Sequence, residues 1–254
     1  MSAIYDTYDY PKFWENREYE HRSEVIALKS FLNKIHQINR LIDVGAGYGR
    51  LSAYYMYRAK RSVLVDSSAK LLKVARQKIN SIDSSRGNDM KYIQSSVENL
   101  SKKVKNGSFD VVLCVRFLHH FENPNVAIDI AKKLLNKNGY LILEFPNKLH
   151  GKALAKHIIK GNIGYRKNKE HENKKHLMNC SLPYMNFHPA EIQNELNLKG
   201  FRVIEKRSVS NIRNTFLKKH MPLSALLFVE QLLQIPLSKL NFGPSIFVLA
   251  QKKG

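Results

Sequence analysis

A chain of 254 residues with 43% hydrophobic content can bury one sizeable core, and its two cysteines, Cys114 in an apolar run and Cys180, exclude a disulfide-built scaffold and favour a reducing compartment. A formal charge of +21 leaves open a nucleic acid, an anionic membrane face or an acidic substrate. Lysine outnumbers arginine 29 to 13, with asparagine and isoleucine also frequent. AT-rich coding produces that bias without any partner, whereas a surface that reads nucleic acid favours the arginine fork.

The opening MSAIYDTYDYPKFWENREYEHR is too polar and too acidic for a secretory signal or a transit peptide, so a cytoplasmic location is expected. Short apolar runs follow at 41–44 (LIDV), 62–65 (SVLV), 90–93 (MKYI), 109–115 (FDVVLCV), 139–145 (GYLILEF), 201–204 (FRVI) and 245–250 (SIFVLA). Between most of them lie helix-length segments with 3.6-residue spacing, among them SSAKLLKVARQKIN and NPNVAIDIAKKLLNKNG. In the second of these, Asn123 suits the cap, Pro124 the first turn and Gly139 the position after the end. Strands buried on both faces and separated by helices imply a parallel sheet with crossovers, hence an α/β fold.

The stretch LIDVGAGYGRL, residues 41–51, joins the first strand to a glycine turn, and in such a sheet the ligand sits beyond the carboxyl ends of the strands beside that turn. Gly45 and Gly47 are expected to let the backbone approach the ligand, where any Cβ would collide with it. The second strand ends in Asp66, nineteen residues past Gly47, where a carboxylate accepts both hydrogen bonds of a ribose diol. An adenosine-bearing cofactor follows. A dinucleotide needs a third small residue where this chain has Arg50, and Asp43 just before the turn repels a pyrophosphate but favours the ammonium and sulfonium of S-adenosylmethionine.

These residues resemble the class I S-adenosylmethionine-dependent methyltransferases, within them the ubiquinone/menaquinone branch (methyltransferase domain type 11). LIDVGAGYGRL resembles the family's first motif, VLVDSS its acidic second, YIQSSVENL its third and FDVVLCVRFLHHFENP its fourth, followed by LLNKNGYLILEFPN. The likeness covers about residues 38–147, with weaker agreement at 186–207 and 245–251. It implies a Rossmann-like seven-stranded, mostly parallel sheet with helices on both faces and a C-terminal antiparallel hairpin supplied by the runs at 201 and 245. It further implies a single domain with a lid insertion: an N-terminal helical cap at 1–36, a cofactor-binding core at 37–147, a lid at 148–188, and the rest of the sheet at 189–254 with an apolar helix at 221–237.

Carried over by the resemblance, Gly45 and Gly47 meet the methionine end of the cofactor with Asp43 beside them, and Asp66 with Ser67 meets the ribose. Leu71 lies on the adenine face, Ser96 and Val97 on its edge, and Val115 and Arg116 on the sulfonium side. The family often has aspartate where Ser96 stands, and a hydroxyl is the weaker acceptor. FWENREYE is expected to form a helix closing over the site, as in relatives, with Arg17 meeting the cofactor carboxylate; the alternative leaves Arg17 in solvent and Trp14 in the core. His119 and His120, just past the fourth strand, stand where a general base would reach an acceptor that must lose a proton; loop capping is their competing role.

The insertion carries nine lysines and arginines between Lys148 and Lys175 against Glu170 and Glu172, which suits an acidic acceptor or simply a solvated lid. His171, His176, Cys180 and His188 invite zinc, but their spacings match no compact ligand pairing, so no metal is expected. The run MPLSALLFVEQLLQIPL, bounded by Pro222 and Pro236, reads as a buried helix of about 13 residues, too short for a bilayer that needs ~20. The alternatives are a contact with a second subunit, in a monomer or homodimer, and a wall for a lipophilic acceptor reached from an anionic membrane. The expected function is methyl transfer from S-adenosylmethionine to a small-molecule acceptor, lipophilic or acidic. RNA methylation is less favoured, since no RNA-binding module is recognisable; a non-catalytic adenosyl-binding domain is the third reading.

Overall fold

A computed structural model of the chain describes residues 10–169, 172–173 and 184–254. Its centre is a sheet of seven strands: β1 (Ile38–Val44), β2 (Ala59–Asp66), β3 (Met90–Gln94), β4 (Phe109–Cys114), β5 (Leu135–Pro146), β6 (Phe201–Val209) and β7 (Ser245–Lys252). Their order is β3-β2-β1-β4-β5-β7-β6. The first five run parallel, while β7 is antiparallel to both β5 and β6. The chain thus winds outward from β1 to β3, then crosses back to β4 on the other side of β1. The strand order reverses at the carboxyl ends of β1 and β4, where backbone groups diverge and leave a crevice.

Alternation along the strands divides the core. Ile42 and Val44 pack on one face with Leu118, Ile128 and Ile192, while Leu41 packs on the other with Leu28, Phe31 and Tyr55. The first face is covered by helices α4 (Asn125–Leu134) and α6 (Pro189–Leu198), and the second by α2 (Glu18–Asn33) and α3 (Ala69–Ile82). Three more helices complete the elements used below: α1 (Tyr10–Trp14) before α2, α5 (Gly151–Ile159) following β5, and α7 (Leu223–Lys239) between β6 and β7.

Several boundaries differ from the sequence reading for identifiable reasons. FWENREYE is not one helix: it breaks between Trp14 and Glu18, with Arg17 at the cap of α2. Helix α4 stops at Leu134 and passes directly into β5, so Gly139 lies inside a strand; Phe109 pairs with Leu135, and the register slips before Val111 meets Tyr140. Asn123 does accept a backbone hydrogen bond at the start of α4, from Asn125 at 2.9 Å. The expected C-terminal antiparallel pair does form, β6 against β7, with residues 210–244 and α7 between the two strands. Helix α7 itself is 17 residues long and carries Pro236 inside it, so that proline does not end it.

Candidate active site

The glycine turn after β1 is fixed from below: Gly45 and Ala46 donate to the Val65 carbonyl at 2.9 and 3.0 Å, tying the loop to the end of β2. Gly45 and Gly47 have φ of +78° and +54°, a left-handed backbone that side chains disfavour. What lies on these bare positions is aromatic. A Cβ on Gly45 would come within 2.6 Å of the Phe117 ring, and one on Gly47 would touch the Tyr10 ring at 3.7 Å. Rings of the chain itself thus cross the turn at both glycines.

Asp66 at the end of β2 is oriented by two backbone donors, Gly47 N–H to Oδ2 at 2.8 Å and Ser68 N–H to Oδ1 at 2.9 Å. The Gly47 bond couples the acidic side chain to the turn. Next to it the Ser67 carbonyl accepts from Gln94, and the Ser68 hydroxyl caps α3 through the Leu71 N–H. Leu71 and Val97 are buried at the tips of this region, while Ser96 is half-buried and its hydroxyl accepts from Asn99 at 3.3 Å. Val115 is buried beyond β4.

Asp43 does not stand as a fixed negative charge before the turn. It shares the face of Leu41, is buried, and accepts a 2.9 Å hydrogen bond from the Tyr55 hydroxyl. Burial pushes its pKa up from 3.8 to about 7, against the Tyr55 bond and with the help of Asp66. Near neutrality its charge is thus partial and responsive to what binds.

The sequence reading missed a second cluster altogether. Glu24, fully buried on α2, is clamped between two guanidinium groups: Arg50 pairs with its Oε2, while Arg116 donates to Oε1 from Nε at 2.8 Å and from a terminal nitrogen at 2.5 Å. Burial alone would raise the Glu24 pKa, yet Arg116 and Arg50 hold it below the usual carboxylate range. Trp14 of α1 closes the cluster, with Arg50 stacked 3.7 Å from its ring centroid and Arg116 at 5.3 Å. Arg50 also contacts His21 Nδ1 at 2.7 Å, and burial beside that cation lowers the His21 pKa to about 4. Glu24 was legible as a carboxylate within the apolar stripe of a helix; its partners, 26 and 92 residues away, were not.

Arg116 has φ of +56°, a strained conformation for a residue with a Cβ, held by its N–H donating to buried Glu144 at 2.8 Å. Its guanidinium pairs with the Glu24 carboxylate, which it shares with Arg50. Arg17 is not part of this site. It is exposed at the cap of α2, with its guanidinium over the Phe13 ring at 4.0 Å, whereas Trp14 is buried. This arrangement is that of the alternative, with Arg17 in solvent and Trp14 in the core; the inward-facing arginines are Arg50 and Arg116.

Past β4 a short turn at Leu118–His120 carries the two histidines, whose rings lie 3.9 Å apart, with Tyr184 4.7 Å from His119. Burial lowers the His120 pKa to about 4 and, with His120 and Arg116 nearby, pushes that of His119 well below the ordinary value. Both are uncharged at neutral pH. His188 caps α6 through the Ala190 N–H and contacts the Arg166 carbonyl, while His171, His176 and Cys180 lie outside the described residues. In the insertion, Lys148 is buried, with its ammonium 3.1 Å from the Asn168 carbonyl and over the Tyr165 ring, so it is not part of a solvated charge run; Lys152, Lys156, Lys160 and Lys167 are exposed.

Strand order 3-2-1-4-5-7-6, a glycine turn at the reversal and an oriented aspartate after β2 together define the class I S-adenosylmethionine-dependent methyltransferase fold. Residues 42–143 match the family model described as a methyltransferase domain, so this stretch of the chain is similar to that family. The ubiquinone biosynthesis O-methyltransferase of Xanthomonas euvesicatoria is 35% identical over 109 residues, 43% of this chain and 44% of that protein. The match thus spans less than half the length of this relative. Among solved structures, a SAM-dependent methyltransferase from Archaeoglobus fulgidus superposes with a TM-score of 0.59 at 16% identity, covering 96% of this chain and 100% of that one. Magnesium protoporphyrin IX methyltransferase from Synechocystis, solved with bound SAH, gives 0.59 at 19% identity over 92% and 84% of the two chains.

Proposed function

We propose that this protein transfers the methyl group of S-adenosylmethionine to a small lipophilic, quinone-like acceptor. The observation that carries the reading is Asp66, a carboxylate at the end of β2 oriented by the N–H groups of Gly47 and Ser68 and so coupled to the glycine turn. The residues fit an adenosyl cofactor: Asp66 for the ribose, the turn at Gly45–Gly47 for the methionine end, and Leu71, Ser96 and Val97 around the base. When bound, S-adenosylmethionine supplies an electrophilic methyl carbon.

The chain's own contribution is positioning and charge. Holding donor and acceptor in contact is worth on the order of 7–11 kcal/mol. Trp14 and Tyr10 cover the turn and exclude water, and the Glu24 carboxylate, shared by Arg50 and Arg116, offsets one of the two positive charges that would repel a cationic donor. Neutral His119 and His120 add no further positive charge, and either serves as proton acceptor for a hydroxyl-bearing acceptor. The acceptor chemistry is supported by the named activity of the Xanthomonas relative and by the apolar rings of Phe117, Phe121 and Tyr184 near the histidines.

Calorimetric titration tests the reading. Saturable binding of S-adenosylmethionine is expected, weakened by about 1–3 kcal/mol in Asp66→Ala as charged hydrogen bonds are lost. Equal binding by the variant, or binding of nicotinamide dinucleotide in its place, overturns it. A screen of hydroxylated quinones and phenols with methyl-labelled donor then reads out the acceptor.

A further inference from the structure

Helix α7 is turned opposite to what its composition suggests. At every fourth position it buries Leu226, Glu230, Gln234 and Ser238 against the fold, three of them polar. On its outer face it exposes Phe228, Leu232 and Ile235, at 65%, 60% and 42%. The orientation is fixed by a saturated polar network. Glu230 accepts from the Tyr19 hydroxyl at 2.6 Å, from the Ser210 and Asn211 N–H groups at 2.8 and 3.0 Å, and from the Asn211 amide. Gln234 donates to the Ser23 carbonyl and accepts from Arg207. Rotating the helix to bury Phe228 would strip a buried carboxylate of these partners, which costs more than the apolar burial gains.

Further exposed apolar side chains stand in the chain on either side of the helix, Phe216 before it and Leu240 and Phe242 after it. Exposed Arg213, Lys219 and Lys239 flank it, and in the whole segment 213–242 the one acidic residue is Glu230, which is buried. Large rings and aliphatic chains on one helix face, in a segment whose own accessible charges are all cationic, Lys218 being paired with Glu20 of α2, match the chemistry of an anionic lipid surface, in which the helix lies along the interface. A second copy of this chain is the poorer match, since a twofold contact would bring Arg213, Lys219 and Lys239 against the same cations. Among the described residues no helix is long and apolar enough to cross a membrane.

We propose that the outer face of α7, with Phe228, Leu232 and Ile235 at its centre and Lys219 and Lys239 at its rim, docks the protein onto an anionic lipid bilayer. The surface stands whether or not the methyl-transfer reading does. The test is co-sedimentation of the full chain with phosphatidylcholine vesicles, with and without about 30 mol% phosphatidylglycerol. Binding to the phosphatidylglycerol vesicles alone is expected, weakening as salt is raised. The double variant F228S/L232S should partition at least about tenfold more weakly, and K219E/K239E should weaken binding to the anionic vesicles too. Circular dichroism and unchanged S-adenosylmethionine titration in F228S/L232S show that the fold is retained. The proposal is overturned by absence of sedimentation at low ionic strength, by full binding of either double variant, or by a concentration-dependent dimer that F228S/L232S dissolves.

Discussion

Replacing Asp43 by asparagine tests the electrostatics of the turn. In the folded protein the carboxyl titrates near pH 7, because it is buried beside Asp66 with a single strong donor, Tyr55; unfolded, it returns to the ordinary value near 3.8. Between these values the unfolded chain is ionised and the folded one holds the proton, so the folded state binds more protons and stability falls as pH rises. The contribution is fully present below the unfolded value and is lost as pH climbs through 7. At about 1.4 kcal/mol per pH unit, flattening above the folded value, wild type loses about 2 kcal/mol between about pH 5.5 and about pH 8 from this group. His21 and His120, both lowered to about 4, act in the opposite direction: their stabilisation is lost as pH falls through the folded value. They are common to both proteins and cancel in the difference. Urea unfolding at a series of pH values should therefore show Asp43→Asn gaining about 2 kcal/mol on wild type across that range. Tyr55→Phe, which removes the donor that favours the ionised form, should steepen the loss. A difference between Asp43→Asn and wild type that is flat with pH would refute the assignment of a proton to this carboxyl.

Glu24→Ala leaves two inward guanidinium groups without their shared acceptor and is expected to cost about 3–5 kcal/mol in urea unfolding, as for broken buried ion pairs; a loss below about 1 kcal/mol would show the cluster to be solvated. For the histidines, the expected kcat–pH profile has no inflection near the ordinary imidazole value of 6.5, since burial lowers His120 to about 4 and His119 further; an inflection there that disappears in His120→Asn would show that the rings titrate in solvent. His120→Asn should lower kcat while leaving S-adenosylmethionine affinity unchanged, and a change confined to affinity would place the ring against the cofactor instead.

Much of the core could be read directly from the chain. All seven apolar runs are strands, and the glycines of residues 45–49 with Asp66 fall at the reversal of strand order, because hydrophobic period and glycine placement are local properties written in consecutive residues. Helix ends were less legible. Pro236 sits within α7 and Gly139 within β5, since sheet pairing and packing overrode the local stop signals.

The amino-acid order by itself determined an α/β sheet with an adenosyl-type turn at its switch point. Only the tertiary structure decided the charge state and direction of the groups around it. Asp43 holds a proton to near pH 7 because burial withdraws water from it, and Arg116 pairs with Glu24, 92 residues earlier, which the fold brings to it. The apolar run of α7 faces outward because its few polar residues find their hydrogen bonds inside. Each of these depends on partners distant in sequence, and the burial that sets their energies exists only once the chain has folded.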